Sequence, residues 1–175
     1  MKQLILTEPH LFIVTGIPGS GKTYFADHFS KTYNLPLISS SHTTEILFEK
    51  PDYSDNEQTI VRRLNLSSLD ELVKTGAHIV YDGYSDTRIS RYEIMRQAHN
   101  MGYVPIIIWV QTDVESAQKR AVLSSKGSAP MSEDRFEKIL RKFTAPNEKE
   151  RQIVISGKHL PSNQTRNVIN KLRNK

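Results

Sequence analysis

The sequence predicts an α/β fold in which a parallel five-stranded sheet lies between two layers of helices, a three-layer sandwich. Three observations carry that expectation. Short apolar runs alternate with longer stretches of helical period, the pattern of strand and crossover helix. The apolar runs are rich in Ile, Val and Leu with few polar interruptions, as strands covered on both faces require. A glycine-rich turn joins the first run to the first helical stripe.

The strand runs are Leu11–Thr15, Leu35–Ser39, His78–Asp82, Val104–Val110 and Ile153–Ser156. Between them, Phe25, Phe29 and Tyr33 recur at helical spacing, as do Ile60 and Leu64, then Leu69, Leu72 and Val73, and these are read as core stripes. Ile94, Ala98 and Met101 mark a further helix closed by Gly102, a residue suited to the left-handed position past a helix end. Phe136, Ile139, Leu140 and Phe143 form another stripe, with Arg135, Lys138 and Lys142 on its opposite side, and Val168, Ile169 and Leu172 mark a last helix. Glu49–Asn56 and Ser124–Pro130 read as loops. Leu4, Ile5 and Leu6 fit an extra edge strand or an ordered tail. A length of 175 residues suits one domain over residues 1–175.

The chain has no cysteine, which removes disulfide frameworks, thiolate metal sites and cysteine nucleophiles. Its longest uncharged apolar run, Val104–Val110, falls far short of the roughly 20 residues a membrane span needs, and no leader-like segment opens the chain. A cytoplasmic protein with no membrane partner is expected. Charge is unevenly spread: residues 1–87 hold 7 Lys+Arg against 11 Asp+Glu, and residues 88–175 hold 17 against 8. The positive second half suits a phosphate-bearing ligand or equally a solvated basic surface.

Gly16-Ile17-Pro18-Gly19-Ser20-Gly21-Lys22-Thr23 fits the phosphate-loop pattern of Gly, four residues, Gly-Lys-Ser/Thr, in the required place between strand and helix. Its glycines let successive backbone N–H groups turn towards one anion, and the following helix adds its positive end. Gly16, Pro18, Gly19, Ser20, Gly21, Lys22 and Thr23 are therefore the candidate nucleotide-binding residues. Lys22 reaches the terminal phosphates of ATP and the Thr23 hydroxyl suits Mg²⁺. The third strand ends in Asp82, which a parallel sheet places at the same carboxyl edge, so Asp82 is the expected second Mg²⁺ partner. A plain Asp82-Gly83 turn is the alternative.

On these residues the chain resembles the small P-loop kinases: polynucleotide 5′-kinase domains, gluconate-kinase-like enzymes, chloramphenicol phosphotransferase and the zeta-toxin group. The resemblance rests on Gly16–Thr23, Pro36-Leu37-Ile38-Ser39-Ser40, Val80-Tyr81-Asp82-Gly83 and the basic segment after Thr112, and spans Leu11 to Ile155. It implies a P-loop NTPase fold with a helical lid at about residues 119–135, and ATP·Mg²⁺-dependent transfer of the γ-phosphate to a hydroxyl acceptor. The family usually carries Ser-Ser-Asp after the second strand, the Asp serving as base. Here Ser41 stands in that place and no arginine follows nearby, leaving His42, Glu45 or Asp82 to handle the proton, or the transfer chemistry lost. A loose phosphoryl transition state asks little of a base, and a histidine with an ordinary pKa of about 6.5 is suited to it or is merely a surface residue.

The resemblance further implies a lid arginine on the transferring phosphate, matched by Arg120 of Lys119-Arg120, with Lys126 and Arg135 flanking the lid loop. It implies a substrate-holding arginine after the third strand, matched by Arg88 or Arg91, with Ser41 and Tyr84 beside the acceptor and Arg62 and Arg63 on the preceding helix. The acceptor is a small alcohol, sugar, nucleoside or nucleic-acid 5′ end, with an anionic one favoured by charge. A nucleoside monophosphate kinase and an ATP-binding module without transfer remain alternatives. A switch GTPase is disfavoured because Val110-Gln111-Thr112-Asp113 carries no Asn-Lys-x-Asp segment, and a motor-type ATPase because Gly83 follows Asp82. The six histidines show no ligand spacing.

Overall fold

The five apolar runs become five strands: β1 (His10–Thr15), β2 (Leu37–Ser39), β3 (Ile79–Asp82), β4 (Val104–Gln111) and β5 (Gln152–Ser156). The computed structural model describes residues 3–123 and 131–173. Among these residues the helices are α1 (Lys22–Tyr33), α2 (Ser40–Leu47), α3 (Asp55–Leu72), α4 (Arg88–Asn100), α5 (Val114–Leu123), α6 (Glu133–Lys142) and α7 (Pro161–Arg173). The strands lie in the order β2-β3-β1-β4-β5, and every pairing is parallel.

Period-two alternation divides the core between the sheet faces. Phe12 and Val14 of β1 point to the face where α1 and α7 bring Phe25, Phe29, Val168 and Ile169. Leu11 and Ile13 point to the other, against Leu69 of α3 and Ile94 and Ala98 of α4. A smaller cluster of Ile17, Ala117, Ala121 and Phe136 joins α5 and α6 to the turn after β1. Residues 3–9 form no strand; Leu4 and Leu6 pack against the core on the α1 and α7 face.

Adjacent strands β1 and β3 send their following helices to opposite faces, α1 to one and α4 to the other. The crevice opened at their carboxyl ends is the place where parallel α/β sheets bind ligands.

Three local expectations change. On α3, Ile60 and Leu64 are 42% and 44% exposed. The inward stripe is Val61, Asn65 and Leu69, one position further along, because buried Asn65 is a polar tie and not a gap in the apolar face. Helix α2 arises from a Ser/Thr run with weak helical preference. Ser39 caps it, Thr43 and Thr44 donate back to Ser39 and Ser40 carbonyls, and Asn65 donates to Ser40 Oγ at 2.8 Å while accepting from Thr43 at 2.8 Å. The loop expected at Glu49–Asn56 ends earlier, since Ser54 caps α3 and Asp55 already belongs to it. Ser124–Pro130, with Lys126, lies outside the described residues.

The expectation that Arg91 holds substrate is corrected by its position. Arg91 is fully buried on α4. Its Nε and Nη2 donate to the two carboxylate oxygens of Glu150, at 2.7 and 3.1 Å. Its Nη1 donates to the carbonyls of Ser85 and Thr144, at 3.1 and 2.8 Å. The guanidinium is spent on tying the segment after α6 to the turn after β3, a tie continued by Thr144 N–H donating to the Asp86 carbonyl at 2.9 Å.

Burial alone would push the Glu150 carboxyl up, but hydrogen bonds from Arg91 and from the Asn147 N–H hold it below the ordinary carboxylate range. Its contribution is therefore present above the unfolded carboxylate pKa of about 4.3 and is lost as pH falls through the lower folded value. Glu150→Ala, which strands a buried guanidinium, should cost about 3–5 kcal/mol in urea unfolding at neutral pH. The deficit relative to wild type should shrink in acid, and a constant deficit would show that the ion pair does not carry the loss.

Candidate functional site

The turn Gly16–Gly21 leaves β1 and feeds directly into α1 at Lys22. It is held closely on two sides. Gly19 has φ 74, and a Cβ there would lie 2.0 Å from the Ala117 carbonyl oxygen of α5. On the other side, a Cβ on Gly157 would lie 2.1 Å from the Ser20 carbonyl oxygen and 2.2 Å from Thr112 Oγ1. Thr112 Oγ1 donates to that same Ser20 carbonyl at 3.1 Å, and Gly157 N–H donates to Gln111 O at 2.7 Å. The loop is thus fixed at the N-terminal end of α1, whose free N–H groups and positive end suit an anion.

Beside the loop, Lys22 Nζ rests 3.5 Å from Ile17 O, the only protein hydrogen bond its ammonium makes among the described residues. Asp82 is 3% exposed at the end of β3, with the Thr23 hydroxyl and the Lys22 ammonium nearby. Burial pushes the Asp82 carboxyl up; the Lys22 charge and the Thr23 hydrogen bond oppose this, and Asp86 adds to the rise. A buried carboxylate beside a hydroxyl and a lysine offers hard oxygen donors next to a phosphate cradle, a donor set suited to a small divalent cation.

A cavity of about 540 Å³ extends from the loop, bordered by Lys22, Thr23, Ser41, Glu45, Arg120 and the turn from Gly157 to Pro161. Arg120 Nη1 donates to Gly157 O at 3.0 Å and Lys158 pairs with Asp113 at 2.8 Å, so both ends of α5 are tied to that turn. The Lys158 hydrogen bond holds the Asp113 carboxyl well below its usual range.

A second cavity of about 800 Å³ opens between α3, α4 and α6. Arg62, Arg135, Lys138 and Lys142 supply positive charge and Asp55, Asp86 and Asp134 negative charge, and Tyr84 borders it. Arg62 pairs with Glu93. Burial raises the Tyr84 hydroxyl pKa to about 12, so this group keeps its proton at neutral pH and can donate a hydrogen bond. The two cavities share Tyr53 and Arg135, whose guanidinium carbon lies 3.7 Å from the Tyr53 ring centroid.

The family model described as "Chromatin associated protein KTI12" matches residues 10–173. The chain belongs to this KTI12 family. Among curated protein sequences no significant match is found. Kti12 of Chaetomium thermophilum, solved with ADP-AlF3, is 20% identical, with 94% of this chain and 97% of that one covered and a TM-score of 0.69. A gluconokinase from Sinorhizobium meliloti 1021 is 15% identical, covering 95% and 93%, with a TM-score of 0.67. The Mycobacterium tuberculosis APS kinase CysC, in complex with AMPPNP and APS, is 14% identical, covering 95% and 98%, with a TM-score of 0.70. At such identities the likeness carries the P-loop NTPase fold.

In this KTI12-family chain, Lys22, Thr23 and Arg120 border the first cavity, and so does Ser41, which the sequence had placed beside the acceptor; Asp82 lies next to Lys22 and Thr23 at the end of β3. Tyr84 and Arg62 border the second. His42 does not join them: it is exposed on α2 and borders neither cavity, because the helix presents Ser41 and the exposed Glu45 to the first cavity instead. Arg88 is exposed at the start of α4, and Arg63 is exposed on α3; neither borders a cavity. Tyr53 escaped sequence reasoning because it sits in a segment read only as loop, although Ser54 and Glu57 bear the spacing of a helix-capping pair. No described helix is long and apolar enough to cross a membrane.

The close approach at Gly19 gives a direct check. Gly19→Ala should cost about 1–3 kcal/mol of stability and weaken ADP binding in calorimetry by displacing the loop; unchanged values of both would show that the backbone has room to spare.

Proposed function

We propose that this chain is an ATP·Mg²⁺-dependent phosphotransferase that moves the γ-phosphate to a hydroxyl acceptor in the second cavity. The observation that carries this reading is the meeting of two cavities, one built on the phosphate loop and one lined by charged groups of both signs and by hydroxyls, at the Tyr53 and Arg135 seam.

In this reading the loop amides and Lys22 hold the phosphates, and Thr23 and Asp82 are the oxygen donors that fit Mg²⁺. The metal, when bound, neutralises charge on the phosphate oxygens. Arg120, tied to the Gly157 carbonyl, lies on the nucleotide side. Arg135, shared by both cavities, lies where charge spreads over the transferring group. Asp86 borders the acceptor cavity beside the β3 end and receives the hydroxyl proton, a task that requires little basicity in a loose transition state. Tyr84, protonated at neutral pH, donates a hydrogen bond to the acceptor. Arg62, Lys138 and Lys142 suit an acceptor that carries negative charge as well as hydroxyls, and nucleic-acid 5′ ends belong to that class. The Kti12 and CysC structures, with ADP-AlF3 and with AMPPNP plus APS, support placing a nucleotide at this loop.

Transfer from γ-labelled ATP with Mg²⁺ tests the reading against 5′-hydroxyl RNA and DNA ends, nucleosides, nucleoside monophosphates and sugars, neutral and phosphorylated. One class should be labelled, and Lys22→Ala should lower that labelling by about 100-fold or more while its Tm stays near wild type. Labelling that survives Lys22→Ala in a folded protein would contradict the assignment. Nucleotide binding with no labelled acceptor would favour a nucleotide-binding module.

A further inference from the structure

Two described residues other than glycine have left-handed backbones, Asn34 at φ 54 and Tyr53 at φ 56. Asn34 follows the end of α1, where an Asn in that region is ordinary. An aromatic residue there is strained, and such strain persists only where surrounding groups impose it. The first turn of α3 does so. Glu57 Oε2 accepts from the Tyr53 N–H at 2.7 Å, and Gln58 Nε2 donates to the Tyr53 carbonyl at 2.7 Å. The next residue is pinned too, Ser54 N–H donating to Asp52 Oδ1 at 2.7 Å.

The ring so placed lies against the half-buried Arg135 guanidinium at the seam of the two cavities. Arg135 is itself fixed at its backbone, the N–H donating to the capping Ser132 hydroxyl at 3.4 Å. It forms no ion pair among the described residues. Guanidinium donors all lie in the plane of the group, so an aromatic ring over one face holds that plane while leaving its edge open for bidentate contact with phosphate oxygens.

We propose that Tyr53 is a positioning residue: its strained, doubly anchored backbone stacks the ring on Arg135 and presents the guanidinium edge to the phosphoryl group passing between the cavities. This rests on the phosphotransfer reading above. Tyr53 then acts chiefly in the transition state, so its loss lowers kcat more than it changes KM for ATP.

The test compares ADP binding by calorimetry in Mg²⁺ buffer with and without aluminium fluoride, whose complex with ADP mimics the transferring group. Tyr53→Phe keeps the ring, and Tyr53→Gly removes it at a backbone position where glycine is at ease. Wild type and Tyr53→Phe should gain affinity equally when fluoride is added. Tyr53→Gly should keep its Tm and, measured against its own ADP affinity, lose about tenfold or more of the fluoride-dependent gain. In an Arg135→Ala background, Tyr53→Gly should have no further effect. A full gain in Tyr53→Gly, or an additive loss in the double variant, would overturn the positioning role while wild type still showed the gain. Absence of the gain in wild type would be recognisable as failure of the phosphotransfer reading itself, and would remove this proposal with it.

Discussion

The close approach of the phosphate-loop backbone to its neighbours is the constraint from which the rest of this site follows. At Gly19 and Gly157 no side-chain carbon fits, because the Ala117 carbonyl on one side and the Ser20 carbonyl on the other stand about where it would be. These approaches bring α5 and the turn after β5 to within backbone contact of the loop. Thr112 and Arg120 then bridge remaining gaps, the first to Ser20 and the second to Gly157. A loop clamped in this way does not have to reorganise to hold an anion, which is where preorganised backbone donors gain their strength.

The second cavity is organised differently, through buried polar ties. Ser85 donates to the Val14 carbonyl at 2.8 Å and accepts at its own carbonyl from Thr15 at 2.9 Å, pinning the turn after β3 to the end of β1. Arg91 and Glu150 extend that tie to the segment leaving α6. Such groups cost desolvation, and their complete hydrogen bonding offsets it. The result connects the turn bearing Asp82, Tyr84 and Asp86 to the helix bearing Arg135, Lys138 and Lys142, so the two walls of the second cavity share one support.

How much was legible in the sequence follows from the range of the interactions involved. The strands and the phosphate loop were readable because their signals are local: uninterrupted β-branched runs, and glycines at fixed spacing before Lys22 and Thr23. Asp82 was readable because parallel topology alone sends it to the loop edge. Arg91 and His42 were misplaced because their fates depend on partners and facing directions that spacing does not encode. Glu150 lies 59 positions from Arg91, and the phase of α2 is set by the tie between Ser40 and Asn65, 25 positions apart. Ile60 and Leu64 misled for the same reason, since the inward face of α3 is defined by a buried Asn. Tyr53 was invisible as a site residue because its importance lies in a backbone angle and in a contact with a helix 80 positions further along the chain.

The central claim is that the nucleotide's terminal phosphate faces the second cavity across the Tyr53 and Arg135 seam. A crystal structure with Mg²⁺ and AMPPNP measures this directly. The account predicts the γ-phosphate at that seam, within hydrogen-bonding reach of Lys22 and Arg135 and open to the cavity bordered by Tyr84 and Asp86. A γ-phosphate turned away from that cavity, or walled off from it by ordered protein, would contradict the account.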